Sequence, residues 1–178
     1  MDYNYYYTMD YLPKRYQASF SQIQDRRAVW NFKDGQCSSQ ILSALERYVN
    51  QIVGRSSKSD YIICFIPAST RYKTKNRFSS VARELERRTG VKATLDAITK
   101  PIDSSAGHVS GKSSNPTAGF SFCSRYFRRK NVILIDDVIT RGTTFNDTAA
   151  KLSSFGAKSV TGLFVAKTVY MNSYRKWA

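Results

Sequence analysis

Hydrophobic residues in this chain change spacing several times, and each change marks an element. Residues 38–53 carry Ile41, Leu42, Leu45, Tyr48, Val49 and Ile52 at three- and four-residue intervals, which predicts an amphipathic helix. Gly54 and a polar run then stop it. Residues 61–66 (YIICFI) are continuously apolar and rich in β-branched side chains, as a strand buried on both faces should be. Pro67 ends that run. Helical spacing returns over 76–90, with Phe78, Val81, Ala82 and Leu85 inward and Gly90 as C-cap. A strand is expected over 91–98, a second fully buried strand at 131–135 (NVILI), a helix at 144–155 and a third strand at 159–166. Strands alternating with helices predict an α/β fold, with a central parallel sheet covered by helices on both faces.

Two stretches lack such periodicity. Residues 1–35 read as an irregular, aromatic-rich lead-in, anchored by Tyr5, Tyr6, Tyr7, Tyr11, Tyr16, Phe20, Trp30 and Phe32, with the folded domain at 36–178. These aromatics are expected to pack on the domain rather than to stack bases. Residues 99–119 are rich in Ser, Gly, Pro and Asn and predict a long functional loop. Within it, AGHVSGKS at 106–113 satisfies the loose P-loop pattern, but no strand precedes it and no helix follows, so nucleotide hydrolysis is not expected. The single histidine, His108, reads as a surface bystander.

Composition bounds the remainder. A hydrophobic fraction of 42% and 178 residues suit one packed domain. No apolar run is long enough to span a bilayer and the N-terminus has no signal-peptide layout, so a cytoplasmic protein without membrane contact is expected. Cys37, Cys64 and Cys123 are too scattered for a zinc site or a disulfide framework. The charge is extreme: 28 basic against 13 acidic residues, a net +15. Many of the cations fall between Arg71 and Lys92. They read as solvated surface beside a phosphate-rich ligand or, in the alternative, as a nucleic-acid face in which Arg83, Arg87 and Arg88 track a phosphate backbone.

The chemistry concentrates in residues 132–144, VILIDDVITRGTT. A buried strand leads into two adjacent carboxylates, then a Gly- and Thr-containing turn, then a helix. In open α/β sheets ligands bind at the carboxyl ends of strands, and a helix N-terminus offers backbone N–H groups to an anion. Thr140, Thr143 and Thr144 add hydroxyls, Gly142 admits a phosphate close to the backbone, and Asp136 and Asp137 suit a sugar diol or Mg²⁺. A lone Asp-Asp would read as turn former and N-cap; the whole pattern does not.

This segment resembles the motif by which type I phosphoribosyltransferases bind 5-phosphoribosyl-1-pyrophosphate (PRPP). The resemblance implies that fold, Mg²⁺ as cofactor and metal at Asp136 and Asp137. It implies the ribose hydroxyls on the same pair, and the 5-phosphate on Thr140, Arg141, Gly142, Thr143 and Thr144. It further implies a pyrophosphate loop at Ala68, Ser69 and Thr70, and a closing loop over 99–119 from which Lys112 or Lys100 reaches the pyrophosphate. Asp136, Asp137 and Lys112 become the candidate catalytic residues. Within the superfamily, FKDG at 32–35 and KNRF at 75–78 are similar to the ComF-like branch, although the cysteine-rich zinc module often found ahead of ComF domains is absent. Thr140 stands where purine-salvage members carry an acid, which speaks against hypoxanthine and guanine, and Arg141 replaces a small residue and adds a cation. The implied activity is transfer of a phosphoribosyl group to a nucleobase-like nitrogen with release of pyrophosphate. The alternative is a non-catalytic PRPP sensor or ComF-like accessory protein that binds nucleic acid. A homodimer is left open.

Overall fold

The computed structural model describes residues 3–100, 117 and 119–170. The strand β1 (Tyr5–Tyr11) is followed by α1 (Phe20–Lys33), α2 (Ser39–Val53), β2 (Tyr61–Phe65), α3 (Arg71–Thr89), the two-residue strands β3 (Ala93–Thr94), β4 (Ile98–Thr99) and β5 (Ser121–Phe122), then β6 (Asn131–Ile139), α4 (Thr143–Ser154) and β7 (Ser159–Thr168). Five strands form one sheet in the order β1-β7-β6-β2-β3, every pairing parallel. A separate antiparallel pair joins β4 to β5.

Strand alternation sorts the core into two layers. Ile63, Phe65, Ile133 and Ile135 point to the face covered by α1, α2 and α3, where Val29, Phe32, Leu45, Val49, Phe78 and Leu85 are fully buried. Ile62, Cys64, Val132 and Leu134 point to the other face, where Phe145, Ala149 and Leu152 of α4 pack beside Phe127 and Phe164. The expected architecture, a central parallel sheet with helices on both faces, is therefore what the chain adopts.

The lead-in is not irregular. Residues 5–11 pair with β7 from Tyr5↔Gly162 to Tyr11↔Thr168, and residues 20–33 are helical. The alternation was masked by tyrosines on both faces: Tyr6 and Tyr11 pack toward the α1–α3 layer, Tyr5 and Tyr7 toward the α4 layer. The α1 helix begins in a capping box, with Ser19 accepting from the Gln22 N–H and Gln22 accepting from the Ser19 N–H. Between strand and helix the chain is tied by Arg26, a buried guanidinium that donates to the carbonyls of Leu12, Pro13 and Tyr16 at 2.6–2.8 Å.

Other boundaries moved for local reasons. The α3 helix starts five residues before its hydrophobic periodicity, because its first turns bury only Thr74. The strand expected over 91–98 is broken where the Thr94 hydroxyl captures the Asp96 N–H at 3.1 Å, a side-chain turn that competes with the ladder. The β6 strand does not end at 135: pairing with β7 continues through Asp136↔Phe164 and Val138↔Ala166 to Ile139.

Candidate functional site

The continuation of β6 decides the geometry of the two carboxylates. Inside a strand, adjacent residues face opposite sides of the sheet. Asp136 follows Val132 and Leu134 toward the α4 layer, and Asp137 follows Ile133 and Ile135 toward the α3 layer. Asp136 lines a cavity of about 280 Å³ together with Ile66, Thr140, Arg141, Gly142, Thr143 and Thr144. Asp137 is buried and forms an ion pair with Arg77 of α3. The pair expected to act as one unit is thus split, linked only by the Asp137 N–H donating to Asp136 Oδ1 at 2.8 Å.

The cavity lies where β6 gives way to α4. Gly142 is the N-cap residue of α4, in the left-handed region at φ 76°, which glycine adopts without the cost other residues carry. Having no side chain, it supplies no side-chain cap, so the first-turn N–H groups lack the partner that Ser19, Ser38 and Thr70 supply to α1, α2 and α3. Thr140, Arg141 and Thr143 are exposed around the opening and Thr144 is half-buried. An anion here meets unpaired N–H groups, hydroxyls and the positive end of a helix dipole. Phe145, 2% exposed, anchors this helix start against Phe164 with ring centroids 5.3 Å apart. A Cβ on Gly162 would come within 2.7 Å of both rings, so the missing side chain of β7 is what lets α4 dock.

The Asp136 carboxyl is held well above the ordinary carboxylate pKa, first by burial and second by the neighbouring Asp137 charge; Arg77 and Lys33 oppose the shift. A sugar hydroxyl or a cation would compensate that desolvated carboxylate. Among the described residues, no three or more His, Cys, Asp and Glu side chains come together as a metal nest. Mg²⁺ usually takes one or two carboxylates and completes its shell with water and substrate oxygens. Asp136 fits that pattern, while Asp137 is already engaged.

The remaining predicted residues fall in separate places. Ala68, Ser69 and Thr70 form the turn between β2 and α3. There the Ala68 N–H donates to Thr74 Oγ1 at 2.9 Å and the Thr70 hydroxyl accepts from the Lys73 N–H at 3.1 Å, while Ser69 is exposed. Lys112, His108 and the P-loop-like run lie outside the described residues. Arg83 is exposed on α3, but Arg87 pairs with Glu84 at 2.9 Å and Arg88 with Glu46 at 3.2 Å. Among the described residues no helix is long and apolar enough to cross a membrane. Sequence reading placed Arg77 among the surface cations and missed its role. The signal was the β6 alternation, which sends Asp137 toward α3 once the strand is known to run past it.

No family model and no curated protein matches the chain. Among solved structures, it is similar to the allosteric regulatory enzyme of purine biosynthesis, with 19% identity and a TM-score of 0.47, covering 70% of this chain and 25% of that one. It is similar to adenine phosphoribosyltransferase from Saccharomyces cerevisiae, with 19% identity and a TM-score of 0.45 over 72% of this chain and 66% of the other. It is also similar to a hypoxanthine-guanine phosphoribosyltransferase from Bacillus anthracis, with 12% identity and a TM-score of 0.45 over 78% of this chain and 67% of the other. The chain thus spans a quarter of the first protein's length and about two thirds of the other two. At these identities the likeness lies in the path of the chain and says nothing of the chemistry.

Proposed function

We propose that the chain binds a phosphorylated ribose, PRPP with Mg²⁺, at the β6–α4 turn and transfers its phosphoribosyl group to a nitrogen nucleophile. The observation that carries this reading is the cavity itself: one half-buried carboxylate, Asp136, beside a helix N-terminus that has no side-chain cap and is ringed by Thr140, Thr143 and Thr144. The 5-phosphate would sit on the first-turn N–H groups and threonine hydroxyls, with Arg141 adding charge. Asp136 would accept from a ribose hydroxyl. Asp137, braced by Arg77, would hold the end of β6 in place. Mg²⁺ would be held by Asp136 and the ligand's own oxygens, and would neutralise charge on the departing pyrophosphate. The nitrogen lone pair attacks ribose C1 as the C1–O bond to pyrophosphate breaks. The protein's part is to orient the sugar and stabilise charge. Lys112 enters this reading from the sequence alone.

Kinship with the ComF-like branch belongs to the same proposal. It rests on the FKDG and KNRF stretches of the sequence, which meet where the Asn76 carboxamide donates to the Asp34 carbonyl at 3.0 Å. A nucleic-acid face on α3 has less support, because Glu84 and Glu46 partner two of its three arginines.

Calorimetric titration with PRPP, ribose 5-phosphate and pyrophosphate, each with Mg²⁺, tests the reading. PRPP is expected to bind most tightly and ribose 5-phosphate measurably. Pyrophosphate binding as well as PRPP while ribose 5-phosphate does not bind would overturn it.

A further inference from the structure

The turn at 139–142 borders two cavities, and only one of them holds Asp136. The second, also about 280 Å³, is lined by Tyr3, Tyr5 and Asn146 in place of Ile66 and Asp136. Ile66 follows β2 and Tyr5 belongs to β1, and these strands stand on opposite sides of β6 and β7 in the sheet. The turn and Phe145 are therefore a wall shared by the two cavities.

Three features of the second cavity point to one kind of ligand. Its walls are aromatic. Tyr3 and Tyr5 each meet the Phe145 ring edge-on, with centroids 6.2 and 6.3 Å away, and the Tyr3 hydroxyl is anchored on that of Ser153 at 3.3 Å. Such walls take planar rings by stacking. Its polar group is a carboxamide. The Asn146 N–H donates to the Gly142 carbonyl at 2.8 Å, but the half-buried side chain has no hydrogen-bond partner among the described residues. A carboxamide presents a donor beside an acceptor, which matches N7 and the N6 amino group of adenine. Its surroundings are cationic. Arg141 is exposed on the turn, and the Lys167 ammonium lies 5.4 Å from the centroid of the Tyr5 ring. The volume is at the small end for ligand pockets, roughly 300–1,000 Å³, and suits a single base.

We propose that this cavity is a separate site for an adenine nucleotide, with the base against Tyr3 and Tyr5, its N6 and N7 edge on Asn146, and the phosphate outside toward Arg141 and Lys167. It is not the place of the nitrogen nucleophile in the transfer proposed above, because the turn separates it from Asp136 and the sugar held there. The inference needs nothing from that reading, and both cavities can be filled together.

Calorimetric titration of the whole chain with adenosine 3′-monophosphate and inosine 3′-monophosphate tests the site. The 3′-phosphates are used because a 5′-phosphate would also suit the Asp136 cavity. The two probes carry the same charge, so the basic surface treats them alike. They differ where inosine has a carbonyl oxygen in place of the N6 amino group. The adenine probe is expected to bind about tenfold more tightly, the weight of one good bidentate base contact. Asn146→Ala should erase that preference. Tyr5→Leu should weaken the adenine probe by about tenfold, the loss of one stacking wall, and Tyr5→Phe should retain it. Saturating ribose 5-phosphate should not displace the probe. No preference for adenine, a preference that survives in a folded Asn146→Ala, or displacement by ribose 5-phosphate overturns the proposal. If Tyr5→Leu does not fold, the Asn146→Ala arm and the competition decide. Adenine-selective binding by a chain that binds neither PRPP nor ribose 5-phosphate would sustain this site and overturn the sugar-phosphate reading instead.

Discussion

The units β2–α3 and β6–α4 repeat one plan: a buried parallel strand, a short turn and a helix starting beside the next strand. Their helix starts differ. At α3 the turn is closed on itself, with Thr70 capping Lys73 and Thr74 taking the Ala68 N–H. At α4 the N-cap is a glycine, no side chain caps the helix, and the turn opens onto a cavity beside a half-buried carboxylate. The same local physics closes the turn in one place and leaves it open in the other. What separates them is whether the orphan N–H groups find partners inside the chain.

The strongest way to break the comparison is to remove what makes the open turn polar. Asp136→Asn is expected to lower affinity for the phosphorylated sugar by roughly 100-fold, the weight of a hydrogen bond to a charged group. It should also raise the melting temperature of the ligand-free protein near neutral pH. The folded pKa of Asp136 is raised, so the folded chain holds that proton more tightly than the unfolded chain does. The resulting stabilisation is complete below the unfolded value near 3.8 and is lost as pH rises through the folded value. Asparagine removes that loss. Thermal scans from pH 4 to 8 should therefore show a flatter pH dependence in the variant. A variant less stable than the wild type at pH 7 would contradict the desolvated-carboxylate account.

Next in size is Gly162→Ala. The added methyl meets Phe145 and Phe164 at 2.7 Å and cannot be absorbed without moving α4. Overpacking of this kind costs about 1–3 kcal/mol, and here it also shifts the helix start that lines the cavity. Denaturant unfolding should show the loss, and ligand affinity should fall with it. Unchanged affinity in a destabilised variant would separate the docking of α4 from the site.

Much of this contrast was legible before the fold was known. Continuous apolar runs marked β2 and β6, and VILIDDVITRGTT marked the open turn, because a buried parallel strand and a Gly- and Thr-containing turn ahead of a helix impose their residue types directly. The splitting of Asp136 from Asp137 was not legible. It depends on β6 pairing with β7 four residues beyond its apolar run, and pairing is a long-range property that carboxylates at a strand end do not advertise. The β1 strand was hidden because tyrosine serves both half-buried faces, leaving no alternation to see. The closed turn was hidden because Ala68, Ser69 and Thr70 are as suitable for cradling an anion as for capping a helix. Only the position of the Thr74 hydroxyl, four residues on from Thr70, decides between them.

The smallest expected effect therefore tests the closed turn. Thr70→Ala removes the hydroxyl that accepts from the Lys73 N–H, and loss of such a cap costs about 1 kcal/mol. The Thr70 carbonyl still accepts from the Thr74 N–H at 3.0 Å, so the helix start is weakened rather than rebuilt. If the turn is structural, affinity for PRPP stays within about threefold of the wild type, because the only change is a stability loss of less than one hydrogen bond's full weight. If the Thr70 hydroxyl instead donates to the pyrophosphate, its removal should cost about tenfold or more for PRPP and nothing for ribose 5-phosphate, which lacks that group. Calorimetry with both ligands on the one variant reads the difference. Equal, small changes in both affinities place the binding function at the β6–α4 turn alone. A loss confined to PRPP would show that a helix start can be capped from within and still serve a ligand, and the two turns would then differ in degree rather than in kind.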